Sequence, residues 1–200
     1  MGKRIWIYLM GLAVTALGIA LIILSAAGAG PLDTISVGLT KHFGLTIGIW
    51  SIISQVFLAF LTWIIERKRL PVESFIPIII RSWFLDAWIY IVFNNIDFSA
   101  SWEMQWLSFM IGVIALGLGI GIYIEAKFPK TPVDGLMIAI HNRFGLSLSI
   151  SRIIIETSAV LIGFLLGGPV GLGTLIVALT LGRIIQASNH SIKKISNMSV

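Results

Sequence analysis

The chain repeats itself once, at an offset of 101 residues. Pro31-Leu32-Asp33 matches Pro132-Val133-Asp134, and Phe43-Gly44-Leu45 matches Phe144-Gly145-Leu146. Without a gap, Gly11, Leu17, Gly18, Ile19 and Ile23 fall on Gly112, Leu118, Gly119, Ile120 and Ile124, and Ile49, Ile52 and Ile53 fall on Ile150, Ile153 and Ile154. That makes 13 identities over the 49 aligned positions from Ile5 to Ile53. Apolar bias produces chance Leu/Ile matches, but it does not place Pro-x-Asp and Phe-Gly-Leu in register. The period is too long for a solenoid. It marks two duplicated halves, residues 1–100 and 101–200, each strongly hydrophobic, and duplicated hydrophobic halves are a common construction of membrane transporters.

Composition places the chain in the membrane class independently. It is 57% hydrophobic and 12% charged, with a mean hydropathy of +0.98. A water-soluble domain carries about 25% charged residues, so this chain lacks the polar surface to face water all round. There is no cysteine, which excludes disulfides, thiol catalysis and Cys-based metal sites. His42, His141 and His190 lack the i,i+4 spacing of a helical metal pair. The net charge of +5 would point to nucleic acid in a soluble protein. Here the cations sit at the ends of apolar runs, where membrane topology requires them. No nucleic-acid partner is expected; the expected partner is the lipid bilayer.

A spanning helix needs roughly 20 apolar residues to cross about 30 Å of hydrocarbon. Six segments qualify: Ile5 to about Ala27, about Thr46 to Ile65, Ser74 to Phe93, about Gln105 to Ile124, Ser147 to Leu166, and Val170 to Ala187. The basic start of the first and the Ser25-Ala26-Ala27 behind it resemble a cleavable signal. Its length, and a repeat partner inside the chain, favour a retained span. Between segments one and two lies Pro31 to Phe43, mirrored by Pro132 to Phe144. Pro at the first helical position, Asp in the first turn and Gly just past the end punctuate a helix, and Thr131 supplies an N-cap for the second copy. Thirteen residues make a helix of about 20 Å, too short to span. Each copy is expected to lie at the interface or to dip in as a re-entrant half-helix covered by protein.

Orientation follows from the cations. A cytoplasmic N-terminus puts Lys3, Arg4, Arg67, Lys68, Arg69, Lys127, Lys130, Arg143, Lys193 and Lys194 inside. The loop from Asn94 to Met104 then falls outside and carries Asp97 and Glu103 but no basic residue. Only Lys41 is misplaced. This is the positive-inside pattern. Three spans per half make the second half enter the membrane upside down relative to the first. The fold class is therefore an all-α bundle of six transmembrane helices plus two short helices, in two inverted three-helix repeats forming one integrated domain, with both termini cytoplasmic.

The Gly-x-Gly-Pro-x-Asp pattern at Gly28 to Asp33, with Pro169-Val170-Gly171-Leu172-Gly173-Thr174 before the last segment, resembles the YczE/YitT-like bacterial integral membrane proteins, in particular the YczE-like branch. The resemblance covers nearly the whole chain. It implies a six-span protein of the bacterial plasma membrane and carries over no biochemical activity.

Charges in mid-membrane cost about 2.5–3.5 kcal/mol each on insertion scales and usually face a cavity or a partner. Arg152 and Glu156 lie one turn apart in segment five, on one face. Their repeat partners are Ser51 and Gln55, so the same face is polar in both halves. It reads either as a shared central pocket or as interhelical glue. Arg81 and Asp86 lie about 140° apart around segment three, so they are not expected to pair with each other. Arg81 needs a carboxylate from another helix, with Glu156 the candidate. Asp33 and Asp134 complement the dipoles of their own helices. Alternatively, the half-helix N-termini at Pro31, Asp33, Pro132 and Asp134 point into a substrate path from opposite faces.

Gly117-x-x-x-Gly121 and Gly163-x-x-x-Gly167 are small-residue spacings that allow close helix approach within the chain or in a homodimer. Trp6, Trp63, Trp102 and Trp106 suit an interfacial aromatic belt, while Trp50, Trp83 and Trp88 are expected in the core. No nucleophile elbow, metal spacing or Walker motif is present, so neither catalysis nor a cofactor is expected. The reading is a small secondary transporter for an unknown small molecule or ion. Its substrate or proton site is expected at Gln55, Arg81, Asp86, Arg152 and Glu156. The alternative is a non-transporting membrane protein that assists or regulates a partner complex.

Overall fold

The structure, a computed structural model, describes residues 2–67, 72–126, 128–129 and 131–198, apart from the side chains of Lys3 and residues 189–198. Lys68, Arg69, Lys127 and Lys130, used above for orientation, lie outside the described residues, as do the side chains of Lys193 and Lys194. The described elements are all helical: α1 (Gly2–Leu24), α2 (Pro31–Phe43), α3 (Ile47–Glu66), α4 (Phe75–Asp86) continuing into a π-helical turn (Ala87–Val92), α5 (Trp102–Glu125), α6 (Pro132–Phe144), α7 (Leu148–Leu165) and α8 (Leu172–Met198).

Among the described residues, five stretches are long and apolar enough to cross a membrane: Arg4–Leu24, Ile47–Glu66, Val72–Val92, Trp102–Glu125 and Leu148–Leu165. The last helix, α8, runs for 27 residues, and among the described residues its apolar part is Leu172–Ser188, which covers all but the first two residues of the expected segment Val170 to Ala187.

The two short helices begin and end where the duplicated punctuation predicts. Gly44 and Gly145 adopt the left-handed conformation at φ 68° and 70°. Their amides bond back to the Thr40 and His141 carbonyls at 3.0 and 2.9 Å, a helix stop that favours glycine. The next helix starts at once. The Thr46 and Ser147 hydroxyls each accept from the amide three residues on, Ile49 and Ile150, both at 3.2 Å. Phe-Gly-Leu thus encodes a stop followed by a cap, twice. Thr131 does stand at the N-cap of α6, but its hydroxyl makes no capping bond to the backbone; it donates to the Asp134 carboxylate at 3.1 Å.

The chain forms two compact units, residues 1–30, 83–128 and 169–200 in one, 31–82 and 129–168 in the other. Each draws helices from both sequence halves. In unit one, α5 packs against both α1 and α8. A Cβ on Gly18 would lie 2.3 Å from the Leu116 amide nitrogen and 2.7 Å from the Gly112 carbonyl oxygen. One on Gly119 would lie 2.4 Å from the Thr15 nitrogen and 2.8 Å from the Gly11 oxygen. Gly11 likewise abuts Tyr123, and Gly112 abuts Ile22. As α1 advances, its partner on α5 recedes, so the pair is antiparallel. Each contact becomes the other when every residue is shifted by the repeat offset. The duplicated glycines are the seam along which the two backbones touch.

The two motifs that carried the family resemblance also meet in unit one. The Thr174 hydroxyl accepts from the Ala29 amide at 3.2 Å and the Gly171 amide at 3.3 Å, and the Gly173 amide donates to the Ala27 carbonyl at 2.9 Å. A Cβ on Gly28 would lie 2.6 Å from the Thr174 nitrogen. Thr174→Val keeps the shape and strands two amides, one of them on fully buried Ala29. It should cost about 1–3 kcal/mol, read as a lower melting temperature of the purified protein. An unchanged melt would remove this cross-link from the account.

In unit two, α2 packs on α7 and α3 on α6, with α2 beside α3 and α6 beside α7. Leu58, Leu136 and Ile155 form the centre, flanked by Leu32, Leu61, Val133 and Met137. Gly163 sits against Thr34, where an added Cβ would collide with the Thr34 side chain, and Gly135 faces Thr62 at 3.8 Å. Thr34 and Gly135 are repeat partners, as are Thr62 and Gly163, so each helix contact joins one threonine to one glycine with the roles exchanged. Lys41, the misplaced cation, donates its ammonium to the Gly167 carbonyl at 2.8 Å just past the end of α7, where a positive charge is favourable.

The polarity of the surface is that of a protein in lipid. Leu165 is 75% exposed, and Phe57, Phe60, Ile153, Leu161 and Phe164 also point outward. Thr15, Ser36, Ser51, Gln55, Ser82 and Ser151 are buried. Apolar faces of this extent are stable against hydrocarbon and not against water. Trp83 belongs to that outer face at 70% exposed and not to the core, because it projects from the side of its helix opposite buried Leu85 and Ser82. Gly117 and Gly163 are taken up by contacts within the chain, with Ile184 and Thr34 respectively.

Candidate functional site

Two charged clusters form inside unit two. In the second-half cluster, Arg152 on α7 donates from Nε to Glu156 Oε1 at 2.8 Å and from an Nη to Asp134 Oδ1 at 3.4 Å. The i,i+4 spacing sets the first bond. The second exists because the Gly145 stop folds α6 back alongside α7. Thr131 holds the other Asp134 oxygen. Asp134 therefore does more than complement a helix dipole: it is the second carboxylate of a Glu–Arg–Asp constellation. Side-chain exposures of 22–40% place all three at a partly covered position.

The first-half cluster uses the same positions with different residues. Ser51 stands where Arg152 stands, so α3 brings no cation of its own. Arg81 of α4 fills the place, donating from an Nη to Ser51 Oγ at 3.0 Å. The sequence pointed Arg81 towards Glu156; among the described residues its neighbours are instead Ser51 and Asp33. The Asp33 carboxyl, on α2 and outside the spanning helices, is pushed above the ordinary carboxylate range by burial, and the Arg81 guanidinium draws it partly back. Each first-turn aspartate thus has an arginine supplied by another helix.

Gln55, the partner of Glu156, is 4% exposed, and its Oε1 meets no donor among the described residues. The Arg81 Nε is likewise buried without an acceptor among the described residues. Gln55, Arg81, Arg152, Glu156, Asp33 and Asp134 all fall in unit two, whereas Asp86 falls in unit one, immediately before the π-helical turn. That turn is tied to α1 by the Trp88 indole, which donates to the Ala13 carbonyl at 3.2 Å. Among the described residues no group of three or more His, Asp or Glu is placed to hold a metal ion. The role of Asp134 was not read from the sequence. The signal for it was the repeated register of Pro-x-Asp with the polar face of segment five.

Apolar outer faces and charged groups held between helices define an α-helical membrane protein. The chain belongs to DUF6198, a family of unknown function, which it matches over residues 2–190. It is 32% identical over 179 residues to the uncharacterized protein YyaS of Bacillus subtilis strain 168, covering 90% of this chain and 89% of the relative. An uncharacterized protein of Haemophilus influenzae is 33% identical over 190 residues, 92% and 82% of the two chains. The uncharacterized membrane protein YczE of B. subtilis is 30% identical over 182 residues, 90% and 83% of the two chains. The resemblance to the YczE-like branch read from the glycine motifs is thereby borne out. No solved structure matches the chain.

Proposed function

We propose that the protein is a small secondary transporter of the bacterial plasma membrane, built from two inverted three-helix repeats with both termini cytoplasmic. The observation that carries this reading is the pair of repeat-related clusters in unit two, each joining the N-terminus of a short helix to an arginine and a polar turn of a long helix. Short helices whose N-termini meet polar groups at mid-depth are the usual construction of transporter sites. Inversion is supported by the antiparallel α1 and α5, whose glycine contacts interchange under the repeat offset. In this reading α8 is the sixth span. Glu156 is the leading proton carrier, with Asp86 the second carboxylate able to serve.

Orientation is tested with single cysteines in the cysteine-free chain. In intact cells, Asn95→Cys and Trp102→Cys should react with an impermeant maleimide, while Glu73→Cys reacts only after permeabilisation. The reverse pattern would sink the inverted topology. Transport is tested by uptake into proteoliposomes with and without an imposed pH gradient, over a solute panel chosen by thermal shift at two pH values. Uptake that stops on Glu156→Gln is expected. Stabilisation by no solute and uptake of none would favour the accessory-protein reading, in which the closed Arg152 cluster is interhelical glue.

A further inference from the structure

The two clusters in unit two share positions but differ in how completely their polar atoms are satisfied. In the second, Arg152 spends its Nε on Glu156 and an Nη on Asp134, and Thr131 binds the remaining Asp134 oxygen. That cluster is closed. In the first, Arg81 reaches Ser51 with one Nη and acts electrostatically on Asp33, yet its Nε–H is buried without an acceptor. Gln55, one turn along α3 from Ser51 on the same face, has a buried Oε1 without a donor. Ser51 and Gln55 are 3% and 4% exposed. A donor on α4 and an acceptor on α3, both buried unpaired, the second one turn from the Ser51 that Arg81 bonds, are costly to fold, and a polar guest supplying the complementary groups removes that cost.

The charge balance specifies the guest. The Arg81 guanidinium favours the ionised form of Asp33 against its burial; with both charged, a lone anion drawn to Arg81 would face Asp33, and a lone cation drawn to Asp33 would face Arg81. A molecule carrying both charges meets neither repulsion. We propose that Asp33, Ser51, Gln55 and Arg81 form a binding site for a small zwitterion of the α-amino-acid type. Its carboxylate accepts from the Arg81 Nε, and its ammonium donates to the Gln55 carbonyl and the Asp33 carboxylate. The proposal rests on the transporter reading for its biological meaning, and it assigns the substrate to the first-half cluster, leaving the closed Arg152 cluster to coupling.

The test is the thermal melt of the full-length protein in detergent with each of the common α-amino acids, beside acetate and ethylammonium as single-charge controls. At least one amino acid should raise the melting temperature by roughly 3 °C or more near saturation, and neither control should. Gln55→Leu removes the orphan acceptor at similar volume. It should melt no lower than the parent without ligand and lose the amino-acid shift. The site is overturned if no amino acid shifts the parent protein, if acetate alone reproduces the shift, or if Gln55→Leu retains it. Uptake into proteoliposomes separates the two claims. Amino-acid binding without uptake would overturn transport and leave the site, while uptake of another solute without amino-acid binding would overturn the site and leave transport.

Discussion

Gly18→Val should force α1 and α5 apart and destabilise the protein by about 3 kcal/mol. The new Cβ would lie 2.3 Å from the Leu116 nitrogen and 2.7 Å from the Gly112 oxygen. Both are backbone atoms of a packed helix, so no rotamer change makes room. Overpacking of this kind costs typically about 1–3 kcal/mol, and contact with backbone puts it at the upper end. Gly119→Val, the repeat partner, meets the Thr15 nitrogen at 2.4 Å and should lose as much. Gly182→Ala is the control. Nothing lies within 4 Å of the Gly182 position, and alanine is the better helix former by about 1 kcal/mol. Melting temperature and monodispersity in detergent read the result. A Gly18→Val protein that melts with Gly182→Ala would show that the seam is not tight.

Arg152→Gln should be the most damaging change among the charged residues. It leaves the Glu156 and Asp134 carboxylates facing each other without their shared cation. Breaking a fully buried pair costs about 3–5 kcal/mol; with 22–40% of these side chains exposed, about 2 kcal/mol is the discounted expectation. Glu156→Gln alone should cost less, about 1 kcal/mol, because Arg152 keeps Asp134. The double substitution should lose clearly less than the sum of the singles, since the second change removes the repulsion created by the first. Strict additivity in melting experiments would mean that the two side chains do not interact. In proteoliposomes the double variant should fold and fail to couple uptake to a pH gradient. Full coupling would remove Glu156 from the mechanism.

Much of this molecule is written locally. The short helices were legible because proline at N1 and glycine in the left-handed region act on their own neighbours, whatever the rest of the chain does. The spans of α1, α3 and α5 were legible because a run of apolar residues long enough to cross hydrocarbon has few other uses. The glycines at 11, 18, 112 and 119 were visible as matches of the repeat, but their purpose was not, because a close backbone approach is a property of two helices and neither sequence segment contains the other. The same limit governed the charges. Arg152 and Glu156 lie one turn apart, so their pairing could be read directly. The recruitment of Asp134, the passage of Arg81 to Ser51 and Asp33, and the stranding of Gln55 depend on how α2, α3, α6 and α7 interlock. Electrostatic partners on different helices are chosen by packing, and only the tertiary structure brings those helices within hydrogen-bonding reach.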